Sequence, residues 1–416
     1  MRRPGGPFAP EWWRSPLRGP WLTAALGTLL LAAMTIVAVT GFLSHTAYDP
    51  DLGRNAIVDR HRDFQPFIFD WPTRPAWLYA LNQGLHVTLG LVAVPLLLFK
   101  LWSVIPRLFA WPPLRSPAMA LERLALLVLV GSAFFQLATG LVNVELWYPF
   151  HFDFVVAHYY GAWIFVSALV LHVCVKSPVI LRGYRTRGVV REIASAQPEP
   201  PDPDGLAPVR PSDPTLSRRG LLALAGSASA GLLVVTAGQS VGGPLRRLAL
   251  LAPRGGSIVD PGANGFPVNK TFAAVGIDPR ATRAGWRLQL HGTTARELSR
   301  ADLLALPQHE EELPIACVEG WSTRQRWSGV RLRDLGALAG APAGSLLHVA
   351  SLQPRGAFRQ TTLGHAQHTS PRALLALRVN GADLSLDHGY PARIVVPGLP
   401  GVHCTKWVAS LEWVAA

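Results

Sequence analysis

Five stretches of this chain run without Asp, Glu, Lys or Arg for long enough to cross a bilayer: Trp21 to Leu43, Trp77 to Phe99, Leu124 to Val144, Phe154 to Val175 and Gly220 to Val241. A crossing takes about 20 predominantly apolar residues. In hydrocarbon such a segment satisfies its backbone by coiling, so the five predict α-helices. Composition agrees, since 49% hydrophobic and 16% charged residues leave too little charge for a cytosolic enzyme. The net charge of +13 is carried mostly by arginine gathered beside the apolar runs. That is how a membrane protein is oriented, so the bilayer is the expected partner and nucleic acid is not.

The first four apolar stretches lie close together and the fifth stands apart. Between them Gln197 to Pro214 holds seven prolines in eighteen residues, which excludes helix and predicts an extended, semi-rigid spacer. The expected plan is therefore a transmembrane domain over 1–190, a Pro-rich cytoplasmic linker over 191–217, an anchor helix over 218–243 and a folded domain over 244–416. Sixteen basic residues flank the N-terminal side of the first helix, the second-to-third loop and the fourth-to-fifth segment, against four (Arg54, Arg60, Arg62, Arg74) in the opposite loops. The positive-inside rule then puts the N-terminus in the cytoplasm and, after five crossings, the C-terminal domain outside.

The fifth helix opens with Thr215-Leu216-Ser217-Arg218-Arg219-Gly220-Leu221-Leu222. This resembles a twin-arginine export signal, a receptor-read address for proteins that fold before crossing; a pair of ordinary stop arginines would look the same. With no A-x-A cleavage site evident, the segment is expected to remain as an anchor.

The ionisable residues inside the apolar helices are histidines: His86 in the second, His158 and His172 in the fourth. Buried ionisable groups in a membrane are costly and mark function. His158 and His172 are fourteen residues apart, about 21 Å of helical rise, and return to within roughly 40° of one face. Imidazoles on facing helices can clamp a haem iron. With His86 four residues before Gly90, and His158 and His172 in the fourth helix, the first ~180 residues resemble the bacterial cytochrome b-561 family of four-helix membrane cytochromes. The resemblance implies a haem b held by His86 and His158, both in the outer half of the bilayer. His172 is where a second haem would take a ligand, but its family partner is missing, because no histidine precedes His45. His45, His61 and His151 read as surface groups, with a quinone site as the alternative.

After Val241 no apolar run reaches 18 residues. Short apolar segments at Leu347 to Leu352, Arg393 to Val396 and Trp407 to Val414, set between Gly and Pro turns, predict strands in a mainly β domain of the α+β class. Three widely spaced cysteines, Cys174, Cys317 and Cys404, build neither a disulfide framework nor a zinc site. The stretches Cys317-Val318-Glu319-Gly320-Trp321, His388 to Gly401 and Cys404-Thr405-Lys406-Trp407 together resemble the sulfite-oxidase-fold family of molybdopterin-dependent oxidoreductases over most of residues 265–416. The resemblance implies that Cys317 is the catalytic thiolate on molybdenum. It further implies that Asn269, Ser351, His388, Arg393, Cys404, Thr405 and Lys406 hold the pterin and its phosphate, with Cys404 acting through the loop rather than the metal. Arg324 and Arg326, near Cys317, are candidates for binding an anionic substrate.

The resulting expectation is a multi-pass oxidoreductase of the bacterial inner membrane. It would exchange an oxygen atom with a small substrate of the sulfite or sulfoxide type and trade electrons with a quinone or other membrane carrier. The alternative is a non-catalytic membrane receptor whose β domain binds a ligand. Topology is testable at once: reporter fusions after Val190 should behave as cytoplasmic and fusions after Ala416 as exported, and the reverse pattern would refute the charge-based orientation.

Overall fold

The structure, a computed structural model, describes residues 5–48, 69–110, 116–152, 154–195, 197–202, 205–253 and 262–415. His61 and the outer-loop Arg54, Arg60 and Arg62 lie outside them. Among the described residues five helices are long and apolar enough to cross a membrane: α1 (Pro20–Tyr48), α2 (Leu78–Leu108), α3 (Pro117–Val144), α4 (Phe154–Arg187) and, after the short α5 (Val190–Ala194), α6 (Arg218–Val241). Most run past the uncharged stretches that predict them. Hydropathy marks only the apolar length, whereas the helical hydrogen-bond ladder continues through Lys100 and Arg107 in α2 and through Lys176 to Arg187 in α4.

By contacts the chain divides into two compact units: Met1–Val39, Thr88–Val142 and Ala157–Val234, and Thr40–Val87, Asn143–Val156 and Val235–Ala416. In the first unit the Pro-rich stretch contains no helix among its described residues, yet it does more than space. Glu199 accepts from the backbone N–H groups of Trp21 and Leu22 at 3.0 and 3.3 Å, satisfying donors that the first turn of α1 leaves open. Arg187 and Arg218 pair with Glu192 at 3.0 and 3.3 Å. Arg218 is buried while Arg219 is exposed, so the two arginines of the export-like motif have different roles in the fold. Glu122 similarly ties Arg107 and Lys176, at 2.8 and 3.0 Å.

The second unit is built mainly of strands. After α7 (Phe272–Val275) come β1 (Arg287–His291), β2 (Arg296–Ser299), α8 (Arg300–Ala305), β3 (His309–Ala316) and β4 (Ser322–Arg331). Then follow α9 (Leu332–Ala339), β5 (Leu346–Ser351), β6 (Gln360–Leu363), α10 (His365–His368), β7 (Leu374–Val379), β8 (Ala382–Asp383), β9 (Arg393–Val395) and β10 (Val408–Val414). One sheet has the order β2-β1-β10-β5-β6; the other has β3-β4-β7-β8 with β9 also on β7. Strand alternation fills the core: Leu288 and Leu290 of β1 point inward, and Leu290 lies in register with Leu411 of the parallel β10. Leu347, Val349, Leu375, Leu377 and Ile394 complete the same buried cluster.

This topology brings remote segments to one place. Cys317 directly follows β3, Arg393 opens β9, and Thr405 and Lys406 lead into β10. A single parallel bridge joins Ala316 to Pro400, fixing the end of β3 against the loop before β10. Register matters locally too, because β4 shifts register against β7 between Ser328 and Gly329. A Cβ on Gly329 would meet the Leu375 carbonyl and come within 2.8 Å of Ala376 Cα. Gly329→Ala should therefore lower resistance to denaturant by roughly 1–3 kcal/mol, measured by tryptophan fluorescence of the full chain in detergent.

Candidate functional site

Cys317 sits in a tight turn. Its N–H donates to the Trp321 carbonyl at 2.9 Å, and its carbonyl accepts from the Gly320 N–H at 3.0 Å. Gly320 takes φ +91°, a conformation that side chains with a Cβ rarely adopt. Glu319 is buried and accepts from Trp321 Nε1 at 2.9 Å, closing the turn. The thiol is 3% exposed, and Asn269 Nδ2 lies 3.8 Å from its Sγ.

Opposite the thiol, one pocket collects Asn269, His388, Arg393, Cys404, Thr405 and Lys406 around Cys317. Seven of the eight C-terminal residues singled out in the sequence thus share a cavity although nearly 140 positions separate the first from the last. Ser351 is the exception. Its hydroxyl donates to the Lys406 carbonyl at 2.7 Å, bracing the loop from behind rather than lining the pocket. Lys270, Gln353 and Phe358 line it as well, and these the sequence reading missed. Lys270 was the most accessible of them, being one of few lysines and adjacent to Asn269; its ammonium lies 4.8 Å from the Phe358 ring.

Positive charge is taken out of water here. Burial lowers the Arg393 pKa to about 10, and its guanidinium rests 5.5 Å from the Trp327 ring centroid. Burial, and then the charge of Arg393, hold Lys406 well below its usual value. Its ammonium donates to the carbonyls of Lys270 and Asp387, at 2.5 and 2.9 Å. Arg393 Nε and Thr405 Oγ1 are buried with no hydrogen-bond partner among the described residues. Buried donors of this kind call for an acceptor, and converging cations call for an anionic one. Cys404 is buried with its thiol pKa raised by burial, which keeps it protonated and makes it a poor metal ligand.

His388 stacks on Phe266 with ring centroids 3.7 Å apart, and its Nε2 lies 2.9 Å from the Asn264 carbonyl. Burial first, and the Arg393 charge second, lower its pKa to about 3. Arg324 and Arg326, by contrast, lie on β4 facing solvent, 3.6 Å from Glu312 and Glu310 respectively. They are outside the pocket, because strand alternation turns these positions outward once Cys317 and its turn are passed.

The helix histidines have distinct surroundings. His86 packs against Gly41, where a Cβ would come within 2.8 Å of the imidazole Cε1. His158 Nδ1 lies 2.9 Å from Thr139 Oγ1, while that hydroxyl donates to the Phe135 carbonyl at 2.7 Å. Sequence reading missed Thr139, which lies nineteen positions from His158. His172 shares its surroundings with Lys100, Lys176, Arg107 and Glu122.

Residues 275–416 match the family model described as "Oxidoreductase molybdopterin binding domain". Mitochondrial sulfite oxidase of Mus musculus is 34% identical over 147 residues, covering 29% of this chain and 27% of the relative. The uncharacterized oxidoreductase YuiH of Bacillus subtilis is 31% identical over 134 residues, covering 31% of this chain and 65% of its own. The sulfane dehydrogenase SoxCD of Paracoccus pantotrophus matches in structure over 32% of this chain and 39% of its own, at 25% identity and a TM-score of 0.30. This chain therefore spans between about a quarter and two thirds of these curated relatives. Its C-terminal region is a molybdopterin-binding domain of the kind carried by molybdenum-dependent oxidoreductases.

The histidine provides a stability test. Between pH ~6.5 and ~3 the unfolded chain protonates His388 while the folded chain does not, so stability falls as pH drops through that window. His388→Gln should flatten this acid limb by up to about 1.4 kcal/mol per pH unit, read from denaturant midpoints of the full chain at pH 4, 5 and 6. An unchanged slope would mean that His388 is not the group protonating on unfolding.

Proposed function

We propose that this chain is a membrane-bound, molybdopterin-dependent oxidoreductase that exchanges an oxygen atom with a small substrate of the sulfite or sulfoxide type. Its electrons pass through a b-type haem to or from the quinone pool. In this reading residues 1–190 form the cytochrome-like four-helix domain, 191–217 the linker, 218–243 the anchor and 244–416 the catalytic domain. That domain faces the outer side of a bacterial inner membrane.

The observation that carries the reading is a buried thiol facing buried cations and partnerless donors, within a region that matches a molybdopterin-binding family. These residues fit the cofactor. When bound, the group supplies two-electron oxygen-atom exchange. Cys317 gives the soft thiolate such a metal prefers. Arg393 offers a guanidinium fork to the pterin phosphate, and Lys406 and Thr405 add an ammonium and a hydroxyl. Asn269 stays within reach of the thiolate, while Trp321 and Phe358 wall the pocket against water. Charge on the phosphate would also restore Lys406 and Arg393 toward their ordinary pKa values, so cofactor and domain stabilise each other.

The haem reading assigns His86 and His158 as ligands. The contact of Thr139 Oγ1 with His158 Nδ1 supports this reading, since it orients the imidazole. At Gly90, one turn beyond His86, a Cβ would have no heavy atom within 4 Å, leaving space beside the helix. His172 is the position of any second haem.

Metal analysis of the purified chain separates this reading from a receptor: molybdenum and haem iron together support it, and absence of both sinks it. Cys317→Ser should leave a folded domain while lowering oxygen-transfer activity at least ~100-fold, because a hard hydroxyl replaces thiolate. Either His86→Ala or His158→Ala should abolish the b-type reduced-minus-oxidised absorbance, and His172→Ala should spare most of it. Loss with His172→Ala alone would overturn the ligand assignment.

A further inference from the structure

The turn carrying Cys317 is gripped by helix ends of its own unit. Gln83 of α2 donates through Nε2 to the Val318 carbonyl at 2.5 Å. Ser240, near the end of α6, donates to the Gly320 carbonyl at 2.5 Å, and Ser322 Oγ returns a bond to the Ser240 carbonyl. Gly320 presses directly on α2, since a Cβ there would lie 2.8 Å from Val87 Cβ. Gln83 is 5% exposed, and its Oε1 accepts from Ser44 Oγ at 2.6 Å. Both ends of the amide are therefore committed, which aims the NH2 group at Val318.

Three residues after Gln83, less than one helical turn away, comes His86. A bonded route thus runs from Cys317 through one peptide to the Val318 carbonyl, across one hydrogen bond to Gln83, and along a single turn of α2 to His86. Electronic coupling decays less through covalent and hydrogen bonds than across van der Waals gaps. Gly320 also meets α2 at Val87, across such a gap.

Resting on the proposed function, we infer that Gln83 is the bridge by which electrons cross between the molybdenum at Cys317 and the haem iron at His86. In the oxidising direction, substrate and water give oxygenated product, two protons and two electrons. The electrons would cross singly, each one lost at the Cys317 site being gained at the His86 site, and a quinone taking up both with two protons would become quinol. No proton or group crosses the bridge.

The test uses the full chain in detergent and needs no substrate. A flash-excited deazaflavin reduces the haem, and haem absorbance then follows the electron leaving for molybdenum. Gln83→Leu keeps an apolar helix former in place but removes the donor, and should slow this phase with unchanged haem spectrum and metal content. Ser240→Ala loosens the same turn away from the route and should leave the rate near wild type. In protein freed of its cofactors, both variants should speed alkylation of Cys317 by iodoacetamide, because each releases one bond holding the turn. A wild-type rate in Gln83→Leu overturns the bridge, and so does equal slowing in Ser240→Ala, which would make turn rigidity the cause. Wild-type alkylation in Gln83→Leu overturns the grip itself. A chain that carries neither molybdenum nor haem fails the proposed function instead, and the alkylation arm still reads the contact.

Discussion

The C-terminal domain is organised around positive charge removed from water. Arg393 and Lys406 sit at the entries to β9 and β10, where backbone order is strict, and burial pulls both pKa values down, with the charge of Arg393 lowering that of Lys406 further. Asp387, the acid that acts on Lys406, spends its carboxylate on the Phe272 N–H at 2.7 Å. Aromatic faces and backbone carbonyls take up part of the charge, with Trp407 4.5 Å from the Lys406 ammonium. An arrangement that costs stability when empty of anions is one whose balance is met by a ligand. The fold tolerates that cost because the strands around it are buried on hydrophobic clusters that include Leu375, Ile394 and Trp327.

The same economy governs the turn after β3. A thiol presented as a metal ligand must be held still, yet the turn is too short to hold itself. The Ala316–Pro400 bridge fixes one side, and hydrogen bonds from Gln83 and Ser240 fix the other. Gly320 lets the backbone approach α2 without a side chain between. Rigidity at Cys317 is thus borrowed from elements that are themselves long and regular, which is how a site on a loop gains the precision of one on a helix.

In the helical part, several polar groups are paired between segments. Glu199 caps α1, Glu122 ties two helices' cations, and Thr139 hydrogen-bonds the ring of His158. A low-dielectric surround makes each of these contacts worth more than in water and makes each unpaired alternative more costly. Arg218 illustrates the consequence. Its motif reads as an address, but in the fold its guanidinium is buried against Glu192 and the carbonyls of Ser195 and Gln197.

What the sequence determined by itself was whatever depends on near neighbours. Uncharged length marked the five helices, and alternation between Gly and Pro turns marked β5, β9 and β10 within a residue or so. The run from Cys317 to Trp321 and the run from His388 to Lys406 each carried their chemistry in one short stretch, so six pocket residues were legible there, with Asn269 the seventh. Tertiary structure decided everything that depends on register between distant segments. It turned Arg324 and Arg326 outward, put Ser351 behind the loop, and brought Lys270, Gln353 and Phe358 into the pocket. It also set Thr139 against His158 and Gln83 against the residue that follows Cys317. Those pairs lie 19 and 235 positions apart. No local pattern records them, because a hydrogen bond between separate elements exists only once their packing has fixed which faces meet.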